Sequence, residues 1–187
     1  MTNFPVSQQH PENLVWIDLE MSGLDPESQV ILQAAVIITD KDLNVLAENV
    51  WDVWQPEHAL QNMSPFVRDM HDANGLLQRV AASKTDVKDA ERKLLSVVTE
   101  WCSFPGTLCG NSIWCDRKFL DRYMPALSGY LGHRMVDVSS LKVLAGKWYG
   151  PEAVFKKPAV GEHDALVDIR NSINELRYYR QNILRKS

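Results

Sequence analysis

The sequence predicts an α/β fold: a mixed sheet in which three antiparallel strands are followed by alternating strands and helices. Three observations point there. The chain opens with three apolar, β-branched runs in series, separated by short polar breaks. After Asp86 the apolar residues recur at helical spacing instead. Short apolar runs then alternate with these helical stretches, an order that lays helices on the faces of a sheet.

Leu14 to Leu19 is apolar apart from Asp18 and reads as a buried strand. Val30 to Thr39 (VILQAAVIIT) is almost wholly apolar and forms the second. Asp40-Lys41-Asp42 is a turn, and Asn44 to Gln55 is the third strand, with Val45, Val50, Val53 and Trp54. Asp86 to Phe104 sets Val87, Ala90, Leu94, Val98 and Trp101 at helical spacing, and Gly106 ends it. Thr107 to Ile113 is a short strand. Asp116 to Leu127 is a short helix showing Phe119, Leu120, Tyr123 and Met124. Met135 to Val138 is the last strand, continued into a helix by Leu141, Leu144, Ala145 and Trp148 and broken at Gly150-Pro151. Ala153 to Glu162 is a loop with Lys156 and Lys157. The final helix runs from Asp164 to Ile183, with Ala165, Ile169, Ile173 and Leu176 on one face. No repeat or linker divides the chain. The expected organisation is a flexible leader over 1–13 and a single domain over 14–187.

The chain has 187 residues, 45% apolar and 24% charged. A chain of this size buries roughly 70% of its unfolded surface and needs no staple to fold. The net charge is −4. A protein that grips long nucleic acid carries a basic stripe, and none is seen. Any nucleic-acid partner is expected to be short or held at one point. Cys102, Cys109 and Cys115 form no C-x-x-C pair, which argues against zinc fingers and dithiol redox sites. Free thiols suit a reducing compartment. The opening residues lack a signal-peptide pattern, and no run nears the ~20 apolar residues of a membrane span. A cytoplasmic protein without a membrane partner is expected.

The chemistry begins at Asp18-Leu19-Glu20. Side chains two apart on a strand share a face. Two carboxylates side by side at the end of an apolar strand repel one another and lose solvation. No Lys or Arg lies between Leu14 and Gln29. A divalent cation is the natural partner, because hard cations take carboxylate oxygens. The alternative is a strand that has already ended, with both acids solvated. Asp116 opens a short helix after a strand, where an acid also serves as a cap or dipole partner. His163 and Asp168 are five residues apart, so on one helix they would lie ~140° apart. With His163 in the loop before the helix, it can swing over a site rimmed by Asp168; a surface histidine and a solvated acid are the alternative. Taken together, the four acids can converge beside the first strand and hold two metal ions ~3.5–4 Å apart, as phosphodiester hydrolysis uses them. A histidine is a fitting general base there.

These segments resemble the oligoribonucleases, DEDDh 3′–5′ exonucleases of the ribonuclease H-like fold. The likeness runs from about Leu14 to Ile183, through IDLEMSGLDP, GNSIWCDRKFLDRYMP, DVSSLKVLAGKW and HDALVDIRNSINELRYYR. It implies a ribonuclease H-like sheet with helices on both faces. It implies that Asp18, Glu20, Asp116 and Asp168 ligate two divalent metal ions, Mg²⁺ or Mn²⁺, and that His163 takes a proton from the attacking water. The implied substrate is RNA of two to five nucleotides, cut from its 3′ end to 5′-mononucleotides, and the implied assembly is a homodimer. Leu24 matches an apolar wedge between two bases. Ser112, Arg134, Ser139 and Ser140 match a cap on the substrate's 5′ phosphate, a task suited to the planar arginine fork. Ser139 and Ser140 could equally cap a helix. His71 matches a histidine near the substrate, and Phe66 stands where the family commonly has Trp.

Five positions depart from the family pattern. Gln33 stands in place of a Glu in the second strand. Trp114-Cys115 replaces a small or polar pair. His133 stands in place of a Tyr that reaches a neighbouring subunit's site, and Gly146 in place of a basic residue. The rivals are a DnaQ-like DNA proofreading subunit, which calls for a polymerase-tethering tail, a tRNA-trimming exonuclease of the same superfamily, which calls for basic patches, and a catalytically silent relative that binds dinucleotides without cutting them.

Overall fold

The structure is a computed structural model that describes residues 8–157 and 164–184. Three strands open it: β1 (Leu14–Met21), β2 (Ile31–Thr39) and β3 (Val45–Asp52). Two short helices follow, α1 (Pro65–Ala73) and α2 (Leu76–Ala82), then the long α3 (Val87–Trp101). β4 (Gly106–Gly110) leads to α4 (Trp114–Tyr123) and α5 (Pro125–Tyr130). β5 (Leu131–Asp137) leads to α6 (Val138–Tyr149), and α7 (Ala165–Asn182) closes the described chain.

The five strands form one sheet in the order β3-β2-β1-β4-β5. β1 and β3 run antiparallel to β2, whereas β4 is parallel to β1 and β5 parallel to β4. The sheet is mixed, as expected. Every residue of β2 is buried, which explains its unbroken apolar run: it lies inside the sheet with both faces covered.

Alternation along β1 sorts the core into two layers. Val15, Ile17 and Leu19 point with Ala34, Val36 and Ile38 to one face, under Ala90, Leu94 and Val98 of α3 and Phe119 and Leu120 of α4. Trp16 points with Ala35 and Ile37 to the other face, under Ala145 of α6 and Ala165, Ile169 and Ile173 of α7. Helices therefore cover both faces. By the alternation rule, Asp18 and Glu20 share the face of Trp16, the one that α7 covers.

Several boundaries differ from expectation, each for a local reason. Residues 57–82, left unassigned by periodicity, hold a 3-10 turn (Glu57–Leu60) and helices α1 and α2. His71 is the sole buried residue of α1, and its apolar residues Phe66, Val67 and Met70 span little more than one turn, too short a stretch to read as a period. Its start is nonetheless signed by Ser64, whose side chain accepts from the Val67 N–H, and by Pro65 in the first turn. The helix expected over 116–127 is two helices, because Pro125 cannot continue α4 and instead begins α5. β4 stops at Gly110, and α3 stops at Trp101 rather than near Gly106. Residues 8–13, assigned to a flexible leader, are tied to the end of α3: the His10 N–H meets the Trp101 carbonyl at 3.0 Å and Asn13 Nδ2 the same oxygen at 2.7 Å.

Candidate active site

β1 outruns its parallel neighbour. Its pairing with β4 ends at Trp16–Cys109, while its pairing with β2 continues to Met21. Beyond that point β4 turns away into α4 and leaves the end of β1 at the carboxyl ends of the parallel strands, where open α/β sheets hold their ligands. Gly110 permits the close approach: a Cβ there would stand 3.2 Å from the Ile17 carbonyl oxygen.

Three elements deliver acids to this end of the sheet. β1 brings Asp18 and Glu20, and the first turn of α7 brings Asp168. One carboxylate oxygen from each lies within 4.8 Å of the others. Asp116, in the first turn of α4, is buried beside them, and its Oδ1 accepts the Leu19 N–H at 2.9 Å. The bond anchors Asp116 to the backbone between the two β1 acids. His163 lies outside the described residues.

The electrostatics of the cluster are consistent with cation binding. Burial, and then the charges of Asp116, Glu20 and Asp168, hold the Asp18 carboxyl well above the usual carboxylate range, with Lys157 working against them. Burial, then Asp168, Asp164 and Asp116, pushes Glu20 up to about 8. Burial pushes Asp116 up to about 7, although the N–H groups of Leu19 and of Asp116 itself restrain it. Three closely set carboxylate oxygens on rigid elements match the hard oxygen donors that a divalent cation takes.

The residues matched to substrate binding fall into two groups. Leu24, in the turn after β1, and Phe66, on α1, are 75% and 77% exposed. His71 is buried instead, with its Nε2 3.1 Å from the Met21 carbonyl oxygen, so its ring braces the end of β1. In the second group, the Ser112 N–H donates to Ser139 Oγ at 2.9 Å and to Asp137 Oδ1 at 3.0 Å, and the two serine hydroxyls stand 3.2 Å apart. Ser140 and Arg134 are exposed on the same strand–helix unit. The helix-capping alternative for the serines is answered by Asp137, which caps α6 by accepting the Ser139 N–H at 2.9 Å.

Sequence reasoning missed two supports of this group. Asp137 is one. Its signal was an acid just ahead of Ser139-Ser140 at a strand-to-helix junction. The other is Asn111, which accepts from Ser139 Oγ at 3.3 Å and donates to the fully buried Glu175 at 3.0 Å. No local pattern marks that pairing, since 64 residues separate its members.

The model of the RNase_T exonuclease family matches residues 15–176. An oligoribonuclease of Ectopseudomonas mendocina is 45% identical over 95% of this chain and 99% of its own length. One of Streptomyces griseus is 49% identical over 91% of this chain and 86% of its own. The chain belongs to the oligoribonuclease family. It is a hydrolytic nuclease. The fold agrees: exonuclease I of E. coli, solved with a 5cy-dT13 oligonucleotide, superposes with a TM-score of 0.74 at 14% identity over 94% of this chain. Exonuclease I of Methylocaldum szegediense gives 0.72 at 18% identity over 92%. This chain spans 42% and 41% of those two longer chains.

The departures from the oligoribonuclease pattern now have surroundings. Gln33 is buried on β2, opposite Glu20. Trp114 is half exposed at the start of α4 with Lys118 Nζ 4.5 Å above its ring. His133 is exposed on the edge strand β5. At Gly146 a Cβ would press to 3.2 Å of Val154 Cγ2, so a larger residue there would need the Val154 side chain to shift by a few tenths of an ångström.

Proposed function

We propose that this nuclease is a 3′–5′ exoribonuclease that degrades RNA of two to five nucleotides to 5′-mononucleotides. The observation that carries this is the convergence of Asp18, Glu20 and Asp168 within 4.8 Å, with Asp116 buried beside them, in a chain of the oligoribonuclease family. Asp18, Glu20, Asp116 and Asp168 would hold two divalent ions, Mg²⁺ or Mn²⁺, whose charge and Lewis acidity serve hydrolysis of a phosphodiester. Burial first, and then the charges of the neighbouring acids, raises the Asp18 and Glu20 carboxyls, a cost that bound cations would relieve.

His163, five residues ahead of Asp168, takes the proton from the attacking water. The water oxygen bonds to the last phosphorus as the 3′-oxygen of the preceding nucleotide leaves and gains a proton. One mononucleotide with a 5′ phosphate and an RNA shorter by one residue result. Leu24 and Phe66 offer exposed apolar surface to the bases. Ser112, Ser139, Ser140 and Arg134 receive the 5′ phosphate and stop longer strands. His71 supports this surface from behind by bracing Met21. The net charge of −4 supports a short substrate. By likeness to its relatives the enzyme works as a homodimer, with one exonuclease domain over 14–187, in the cytoplasm, where its three free cysteines stay reduced.

A series of 5′-labelled RNAs from two to ten nucleotides, with Mg²⁺ or Mn²⁺, tests the reading. Release of mononucleotides from the 3′ end, fastest on the shortest members, is the expected result. Binding of the dinucleotide without cleavage would overturn it in favour of a silent binding protein. Equal rates at every length would remove the phosphate cap.

A further inference from the structure

We propose that Gln33 is a positioning residue that holds the first turn of α7, and with it Asp168, at the spacing the metal site needs. The inference rests on the metal-site reading above. It starts from a helix end that needs outside help. The first N–H groups of a helix have no partner within it. In α7 the Asp164 side chain takes the N–H groups of Leu166 and Val167, at 3.2 Å each, and the Asp164 carbonyl takes that of Asp168 at 2.9 Å. The Ala165 N–H is left over, on a residue with no exposed surface. Gln33 Oε1 accepts it at 3.1 Å from 132 residues away.

The other end of the same amide is also fixed. Gln33 Nε2 donates to Asp52 Oδ1 at 2.7 Å, and Asp52 Oδ2 pairs with Arg79 of α2 at 3.4 Å. The amide therefore cannot rotate without losing one bond or the other. Gln33 is 3% exposed and faces Glu20 in the β1–β2 register. Opposed residues of an antiparallel pair share a face. The tie thus fastens the helix that carries Asp168 to the sheet position beside Glu20, and it lies three residues from Asp168 along α7.

An amide suits this position better than either alternative. A carboxylate at 33 would accept from Ala165 but would set its second oxygen against Asp52. An apolar side chain would leave the buried Ala165 N–H unmet. The consequence falls on the separation between Asp168 and the two β1 acids, and so on metal affinity, which outer partners of ligands commonly control by tenfold or more.

The test is Mn²⁺ binding to the metal-free full-length protein by titration calorimetry, read beside the melting temperature and the rate on a dinucleotide. Gln33→Met should weaken Mn²⁺ binding about tenfold while the rate at saturating Mn²⁺ changes much less. The exchange Gln33→Glu with Asp52→Asn rebuilds both hydrogen bonds with the second one reversed, and should return the affinity to near that of the wild type. Wild-type affinity in Gln33→Met overturns the inference, as does an exchange variant that melts normally yet binds as weakly as Gln33→Met. Should Gln33→Met not fold, Asp52→Ala, which removes the acceptor of Gln33 from the end of an edge strand, is judged by the same criterion. Asp168→Ala is the control for the underlying reading: if it binds Mn²⁺ normally, the metal site itself is wrong; if it alone loses binding, the site stands and the role of Gln33 falls.

Discussion

Asp116 does two things that one substitution can separate. Its Oδ1 accepts the Leu19 N–H, and its charge joins the acidic cluster. Asp116→Asn keeps an acceptor oxygen for Leu19 but gives up the charge. Its melting temperature should stay within a few degrees of the wild type, while turnover drops at least about a hundredfold, the scale of several kcal/mol of lost transition-state stabilisation. Asp116→Ala should show the same loss of turnover and in addition cost about 1–3 kcal/mol, because the buried Leu19 N–H is left unmet. Parallel melting and rate measurements on the two variants check both statements; a fully active Asp116→Asn would remove the residue from the metal site. Glu20 carries a second prediction. Its folded carboxyl sits at about 8, above the ordinary 4.5. The folded state thus binds this proton more tightly than the unfolded state. The resulting stability is present in full below the ordinary value and drains away as pH climbs through about 8. Metal-free protein in chelator should melt at progressively lower temperature from about pH 5 to 9, and Mn²⁺ should restore the loss at the alkaline end. A flat profile in chelator would contradict the burial of Glu20 among other acids.

The turn between β4 and α4 illustrates what an element boundary can store. Ser112 holds φ at +49°, in the left-handed region that non-glycine residues avoid. The conformation turns its N–H toward Asp137 and Ser139 at the head of α6. Strain at such a position is tolerated where the surroundings over-determine it. Ser112→Gly and Ser112→Ala both delete the hydroxyl, but glycine adopts this φ freely. Ser112→Gly should therefore be more stable than Ser112→Ala by about 1 kcal/mol, whereas both should slow 5′-phosphorylated dinucleotides to a similar degree. Denaturant melts and initial rates on the two variants decide it. The same scale shows where patterns in the chain lose their force. The spacing of Ala90, Leu94 and Val98 revealed α3 because all three are buried against the sheet. α1 and α2 carry apolar residues at helical spacing as well, Phe66, Val67 and Met70 in one and Leu76, Leu77 and Val80 in the other. Each is too short for the spacing to repeat, and a period that does not repeat cannot be told from chance.

Over the whole molecule, charge and surface govern how substrate arrives. With a net charge of −4 there is no excess of cations to track a strand. A dinucleotide with a terminal phosphate offers about three charges, one on the phosphodiester and close to two on the terminal phosphate, so log(kcat/KM) should fall with log salt at a slope of about −2. A slope of −4 or steeper, measured between about 50 and 200 mM salt, would reveal a long electrostatic groove and contradict the short-substrate reading.

The chain alone was enough for the fold class, the antiparallel opening of the sheet and the candidate acids. Each of these depends on periodicity or on chemistry that stays within a few residues. Asp18 and Glu20 share a face because any strand alternates, and that holds wherever the strand is packed. The meeting of Asp168 with Asp18 and Glu20 is another matter. It depends on α7 covering the face of β1 that carries Trp16, on β4 stopping short of β1, and on Gln33 reaching the Ala165 N–H from 132 residues away. The same is true of Asn111 and Glu175, and of Ser112 and Ser139. Such contacts join parts of the chain whose local patterns contain nothing about one another. Only the packing of helices on the sheet brings them within hydrogen-bond reach, so the candidate acids were legible in order while the geometry that gathers them is a property of the folded molecule.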